Sequence, residues 1–417
     1  MATVKLKTSS KLLLLLVVLL CFVCNSGQAS VKYPVVLIPG DGGSQLVAKL
    51  NKTTSPHYLC RKTTPDYETI WLNLEELLPE VLDCFVDNMR LWYDPKTRKT
   101  FNTPGVDIKA SGFGGTETVE YLDPNPVSHF SSSLSYFYYI VSDLVSIGYA
   151  RGLSVRGAPF DFRKAPNELG DYFISLQKLV EETYQKNNNT KIVVVAHSMG
   201  NPVFLYFLNR QPQSWKDKFI QSFVTLAGVW GGAVKPLRLM SSGDNLGVII
   251  VNTHKIRPQQ RSMPSTAFLM PSAQFWKPSD ILVKTFEKNY TVENYKEFFA
   301  DMNFTDGYNM RADTENLVSS LTPPQVPVHC IHGSGVPTPG MLIFGKGQFP
   351  DTFPSEIDED GDGTVNIRSL LGCLRWVGRQ KYPVIHTAFN GSASGHMSIM
   401  SNKGVRQYII DVVTGKR

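Results

Sequence analysis

A chain of 417 residues, 42% apolar and 19% charged, can bury a large core. It holds no charge run, low-complexity tract or internal repeat, which excludes extended disorder. Lys5, Lys7 and Lys11 carry half of the formal charge of +6, so the rest is near neutral and makes no electrostatic case for a nucleic-acid partner.

Those lysines precede an apolar stretch, residues 12–24, and then "NSGQAS". The pattern predicts a signal peptide over residues 1–29, cut after Ala29. Crossing a bilayer takes about 20 apolar residues, more than this stretch or any later one offers. A luminal or secreted protein without a membrane span is expected. Cys21 and Cys24 leave with the leader, whereas Cys60, Cys84, Cys330 and Cys373 remain in an oxidising compartment, with every pairing open on spacing alone. Asn-x-Ser/Thr sequons at Asn51, Asn188, Asn289, Asn303 and Asn390 mark expected glycosylation sites.

"YPVVLIPGDGGSQL" (33–46) reads as a short β-branched strand entering a glycine turn. "YFYYIVSDLVSIGYA" predicts a helix ended by Gly148. "DYFISLQKLVEETYQKNNN" predicts another, with Phe173, Leu176, Leu179, Val180 and Tyr184 on one face. "TKIVVVAHSMGNPVFLYFLNRQP" reads as strand, tight turn and helix. "FIQSFVTLAG", "VPVHCIHGSG" and "YPVIHTAF" are continuous apolar runs of the kind strands take when both faces are buried. The alternation predicts an α/β domain over residues 30–417, built on a doubly wound, mostly parallel sheet. Irregular inserts at about 50–110 and 230–310 are expected to cap this core, with 233–262 as a long loop.

Within "VVVAHSMGN", Ser198 sits between a β-branched strand, 192–195, and an apolar helix. A nucleophile elbow needs small residues two before and two after the serine, because strand and helix nearly touch there; Ala196 and Gly200 meet that need. A serine nucleophile requires a base and oxyanion donors, and in this fold class the acid and the histidine follow it in the chain. Of the later histidines, His254, His329, His332, His386 and His396, only His396 lies in a small-residue loop after the last predicted strand, so it is the expected base. The acid is expected in "DEDGDG" (358–363). Asp358, Asp360 and Asp362 before Gly363 also resemble the start of a calcium loop, but Ser369 stands where its bidentate glutamate belongs. The upstream "DTFPSEI" reads as loop, not helix. Asp360 and Asp362 remain rivals for the acid on the residues alone. Oxyanion donors are expected at the amides of Met199 and of the turn "PGDGG", at Asp41; a phosphate loop is excluded there because no Gly-Lys-Ser/Thr follows.

With these residues in place, "VVLIPGDGGSQLVAKL", "TIWLNLEELLP", "VRGAPFDFRKAPNE", "AHSMGN", "RQPQSWKDKFI", "GSGVPTP" and "DGDGTVN" together resemble the lecithin–cholesterol acyltransferase family over nearly the whole mature chain. The resemblance implies an α/β-hydrolase fold with Ser198 as nucleophile, Asp362 as acid and His396 as base. It also implies oxyanion amides at Asp41 and Met199, and disulfides Cys60–Cys84 and Cys330–Cys373. Asp41, where the plasma branch has cysteine, and the end at Arg417 without a proline-rich tail point to the lysosomal branch. "LAGVWGG" (226–232) and "GDGGSQL" depart from the family's "LGAPWGG" and "GDLGNQL".

The resemblance further implies a calcium-independent phospholipase and transacylase, working through an acyl-serine and passing the acyl group to water or a lipid alcohol such as ceramide. No cofactor or metal is expected, and a monomer in the lysosome lumen or outside the cell. Peripheral docking on a phospholipid surface would use the helically spaced apolar residues of "WLNLEELLPEVLDCFV", notably Trp71, Leu74, Leu77 and Leu78, with Pro79 dividing the stretch into two short helices. The rival readings are a secreted cholesterol-type acyltransferase or neutral-lipid lipase, and a calcium-dependent lipid-binding protein.

Overall fold

The computed structural model describes residues 32–126, 134–245, 247 and 250–417. The expected signal peptide lies outside the described residues.

Six parallel strands form the centre: β1 (Val35–Ile38), β2 (Val155–Gly157), β3 (Ile192–His197), β4 (Ile220–Leu226), β5 (Val328–Ser334) and β6 (Val384–Asn390). They lie in the order β6-β5-β4-β3-β1-β2. Val35 to Ile38 and Ile192 to Ala196 are wholly buried, as expected for β-branched runs covered by helices on both faces. β6 differs from the expectation. It is the sheet's edge, with Ile385 39% exposed and His386 also exposed. A continuous apolar run does not tell an edge strand from a central one, because neighbours along the sheet are set by topology.

Four helices cover the sheet: α1 (Tyr138–Ser146), α2 (Gly170–Lys186), α3 (Gly200–Leu208) and α4 (Lys403–Val413). In α2, Leu176, Leu179 and Val180 face inward while Phe173 and Tyr184 are half-buried beside them. α3, straight after Ser198, is buried almost all round. The chain leaves β1 for β2 on one side and returns to β3 on the other. The crevice at the carboxyl ends of β1 and β3, where Ile38 pairs with Ala196, is therefore the switch point where such sheets bind ligands.

The first insert contains a three-stranded antiparallel sheet (Leu46–Leu50, Glu68–Trp71, Val106–Ala110), a 3-10 turn (Leu74–Leu77) and a helix (Leu82–Met89). Cys60–Cys84 staples it. Arg163, wholly buried, clamps it to the core by donating to Asp161, the Met89 carbonyl and Asn102.

A second apolar cluster, separate from that of the sheet, includes Leu237, Trp276, Phe298, Phe299, Met310 and Leu342. Where a long loop is expected over 233–262, the chain forms the helices Lys235–Met240 and Thr253–Arg261. Both escaped the pattern because the first is one and a half turns and the second has Pro258 inside and Ile256 as its single deeply buried aliphatic residue. The segment read as loop, "DTFPSEI", also runs into a strand, Ser355–Gly361, at the open edge of a four-stranded sheet and antiparallel to Val336–Ile343. Its charged side chains suit an edge that must resist further pairing. Cys330–Cys373 ties β5 to the turn Leu371–Trp376.

Candidate active site

β3 ends at His197, and Ser198 follows with φ of +53°, a left-handed conformation that lifts its side chain out of the strand-to-helix turn. The surroundings leave no room for extra carbon. A Cβ on Gly40 would fall 2.6 Å from Ser198 Cβ, and one on Gly200 would fall 2.4 Å from the Pro39 carbonyl. The small residue two after the serine therefore answers to the β1 turn.

His396 reaches the serine from the loop after β6, its Nε2 2.9 Å from Ser198 Oγ. Its Nδ1 lies 2.8 Å from Asp362 Oδ2. The pairing is reinforced through the backbone, where the His396 amide donates to the Asp362 carbonyl at 2.7 Å. The other carboxylate oxygen, Oδ1, accepts from the amides of Thr364 and Val365 at 3.0 and 2.7 Å. Burial alone would raise the Asp362 carboxyl, but the His396 ring and these two amides outweigh it and hold it below its ordinary value. Asp360, the rival acid, instead accepts from the Gly335 amide. The other histidines are engaged elsewhere: His329 with Tyr408, His332 with His386, and His254 with the Asp351 carbonyl.

The calcium-loop alternative loses its geometry here. Asp358 and Asp360 lie along an extended strand, where alternate residues are separated by about 6.6 Å along the chain, rather than in a loop converging on one point. Among the described residues the group with ligand atoms close enough for a metal is His57, Cys60 and Cys84. Its two sulfurs are joined in the disulfide and offer no thiolate.

Asp41 follows Gly40 in the turn after β1 that closes on Ser198, and Met199 heads α3. Among the described residues neither of these backbone amides has an acceptor. Asp41 is exposed as a residue. Desolvation by the atoms around its carboxyl nevertheless pushes it up from 3.8 to about 6, against the opposing pull of Lys235, the Gly42 amide and His396. Trp71 supports the turn by donating to the Gly42 carbonyl at 2.8 Å, its ring against Phe85 and Phe162.

This corrects part of the expected docking face. Trp71 is a half-buried brace, and Leu77 is 1% exposed within the core. Leu74 and Leu78 are outward, 39% and 43% exposed, in the same insert as Tyr58 and Leu59. All five sequon asparagines (Asn51, Asn188, Asn289, Asn303 and Asn390) lie on the surface.

Two residues went unnoticed in the sequence. His197 was visible only as part of the serine motif, and Tyr136 lies outside any motif. Yet the Tyr136 hydroxyl is 2.5 Å from His197 Nδ1, and His197 Nε2 is 2.9 Å from the His396 carbonyl.

A parallel sheet with an elbow serine at its switch point and a histidine loop after the last strand defines an α/β hydrolase. The chain belongs to the lecithin:cholesterol acyltransferase family, whose model matches residues 67–403. It is 49% identical over 382 residues to the lysosomal phospholipase A and acyltransferase of Canis lupus familiaris, covering 92% of this chain and 91% of that one. The corresponding protein of Homo sapiens is 47% identical over 404 residues, with 97% and 96% covered. The phosphatidylcholine-sterol acyltransferase of Gallus gallus is 41% identical over 352 residues, with 84% and 83% covered. A chain in the crystal structure of a Tle4–Tli4 complex shares the fold, with a TM-score of 0.52 at 12% identity over 92% of this chain and 98% of that one. Among the described residues no helix is long and apolar enough to cross a membrane.

Proposed function

We propose that this chain is a calcium-independent phospholipase and transacylase that cleaves a fatty acyl ester of glycerophospholipids through an acyl-Ser198 intermediate. The observation that carries the reading is the unbroken run of hydrogen bonds from Ser198 Oγ through His396 to Asp362, at 2.9 and 2.8 Å. In this reading His396 Nε2 takes the serine proton as Oγ attacks the ester carbonyl, and Asp362 holds the resulting imidazolium. The amides of Asp41 and Met199 receive the charge that develops on the carbonyl oxygen. Collapse breaks the ester bond, and His396 returns the proton to the departing lysophospholipid oxygen. Water or a lipid alcohol such as ceramide then gives its own proton to His396 and attacks the acyl-serine, releasing fatty acid or acylated alcohol and restoring Ser198.

Relatives that carry "lysosomal phospholipase A and acyltransferase" in their names support the substrate class and the luminal address. The raised Asp41 carboxyl supports work at acid pH, since a neutral group beside the oxyanion does not repel it. Leu74 and Leu78, with Tyr58 and Leu59, support peripheral contact with the lipid surface.

The test is acyl release and transfer from phosphatidylcholine–ceramide liposomes at acid and neutral pH with EDTA present. The expected result is activity in wild type at acid pH and none in Ser198→Ala. Release that requires calcium, or that survives Ser198→Ala, would overturn the reading.

A further inference from the structure

We infer that Tyr136 and His197 form a positioning strut that ties the turn carrying the Asp41 amide to the backbone of His396, holding the two halves of the reacting site in register. The inference rests on the acyl-serine reading above. Its bonds run in sequence: the Gly40 amide donates to the Tyr136 hydroxyl at 2.8 Å, that hydroxyl meets His197 Nδ1 at 2.5 Å, and His197 Nε2 meets the His396 carbonyl at 2.9 Å.

The chemistry of each atom leaves one arrangement of protons. A carbonyl can only accept, so His197 Nε2 carries the hydrogen. Burial and the neighbouring His396 ring push His197 down to about 3, against weaker opposing effects of the His396 carbonyl and Asp362. The ring is therefore neutral, Nδ1 is an acceptor, and the Tyr136 hydroxyl donates to it while accepting from Gly40. The Tyr136 hydroxyl and both His197 ring nitrogens are thereby paired, which buried groups require. Tyr136 and His197 are each 1% exposed, so no water can substitute.

The turn is shaped around the tyrosine. A Cβ on Gly43 would fall 2.8 Å from the Tyr136 hydroxyl, and one on Gly40 would fall 3.1 Å from it. Gly40 immediately precedes Asp41, so anchoring its amide sets the peptide that presents the next one. At the other end, the carbonyl held by His197 belongs to the residue whose ring meets Ser198, and the two imidazoles lie 4.8 Å apart. A side chain that only filled space would need none of these polar contacts.

Tyr136→Phe removes a single oxygen and keeps the ring. It is expected to lower kcat, and the rate at which a fluorophosphonate labels Ser198, by roughly 10- to 100-fold, the scale of a misplacement of about 1 Å, with KM unchanged. His197→Gln, which can still donate to the His396 carbonyl, should be faster than His197→Leu, which cannot. Wild-type kcat and labelling in Tyr136→Phe, or equal rates in the Gln and Leu variants, would overturn the strut even if thermal stability fell. If Tyr136→Phe does not fold, the Gln and Leu pair carries the test. Ser198→Ala is run alongside: activity surviving there overturns the acyl-serine reading, whereas a dead Ser198→Ala beside an unaffected Tyr136→Phe overturns the strut alone.

Discussion

Asp362 and His396 are joined twice, ring nitrogen to carboxylate at 2.8 Å and amide to carbonyl at 2.7 Å. The backbone bond fixes where the histidine loop lies, and the side-chain bond fixes how its ring turns. Asp360 sits two residues earlier and is spent on the Gly335 amide. Asp362→Asn, which loses the charge opposite the imidazolium, is therefore expected to lower kcat by about 10⁴-fold, as the same change in a catalytic Ser-His-Asp arrangement does elsewhere. Asp360→Asn should stay within about threefold, since it leaves the Ser198–His396–Asp362 hydrogen bonds intact. Liposome kinetics on the two variants check this, and the reverse ranking would reassign the acid.

The Asp41 carboxyl, raised from 3.8 to about 6, is neutral over a window where an ordinary aspartate is charged. Above that window its negative charge opposes the oxyanion, so activity should fall as pH rises through about 6. Asp41→Asn should push this alkaline limb to higher pH, measured as kcat/KM against pH. The linkage for folding has the same direction. The folded chain holds this proton more tightly than the unfolded chain, so the residue's contribution to stability falls as pH rises from 3.8 through about 6.

The outward leucines make a separable prediction. Burying a leucine in an apolar phase is worth roughly 1.5–3 kcal/mol, so Leu74→Ser with Leu78→Ser should weaken binding to phosphatidylcholine vesicles by about tenfold or more. Hydrolysis of a soluble short-chain ester should be unchanged. Leu77→Ser should do the opposite, costing about 2–5 kcal/mol of stability through its buried site while leaving vesicle affinity alone. Vesicle sedimentation and denaturant titration distinguish the two.

Arg163 is wholly buried and joins Asp161, Met89 and Asn102, which belong to the core and the first insert. Arg163→Met leaves the Asp161 carboxylate without its partner. The expected loss is about 3 kcal/mol, the lower end for breaking a buried pair, because Asp161 retains some solvent. Urea unfolding followed by tryptophan fluorescence measures it.

Local chemistry made part of this protein legible from its residues. The elbow could be read because a serine between a β-branched strand and an apolar helix needs small neighbours, and the sequence shows Ala196 and Gly200 at the required spacing. The inward face of α2 could be read because helical periodicity is a property of the segment itself. Its buried leucines agree. The choice between Asp360 and Asp362 depended on more than order along the chain. The strand ends at Gly361 and the turn closing on Val365 directs only the next carboxylate to His396.

Other features had no local signature at all. Whether Leu77 or Leu78 faces water depends on what the 3-10 turn rests against, and whether "YPVIHTAF" is central or marginal depends on how many strands the sheet has. Tyr136 and His197 are 61 residues apart, and their bond exists only because folding brings Tyr136, just before α1, against the turn after β1 and the end of β3. Spacing along the chain determined the elbow and the helix faces, since each needs only neighbours in sequence. The tertiary structure decided which carboxylate meets His396, which leucines face water and which buried groups lie beside it, because hydrogen bonds and burial are formed between segments that only folding brings together.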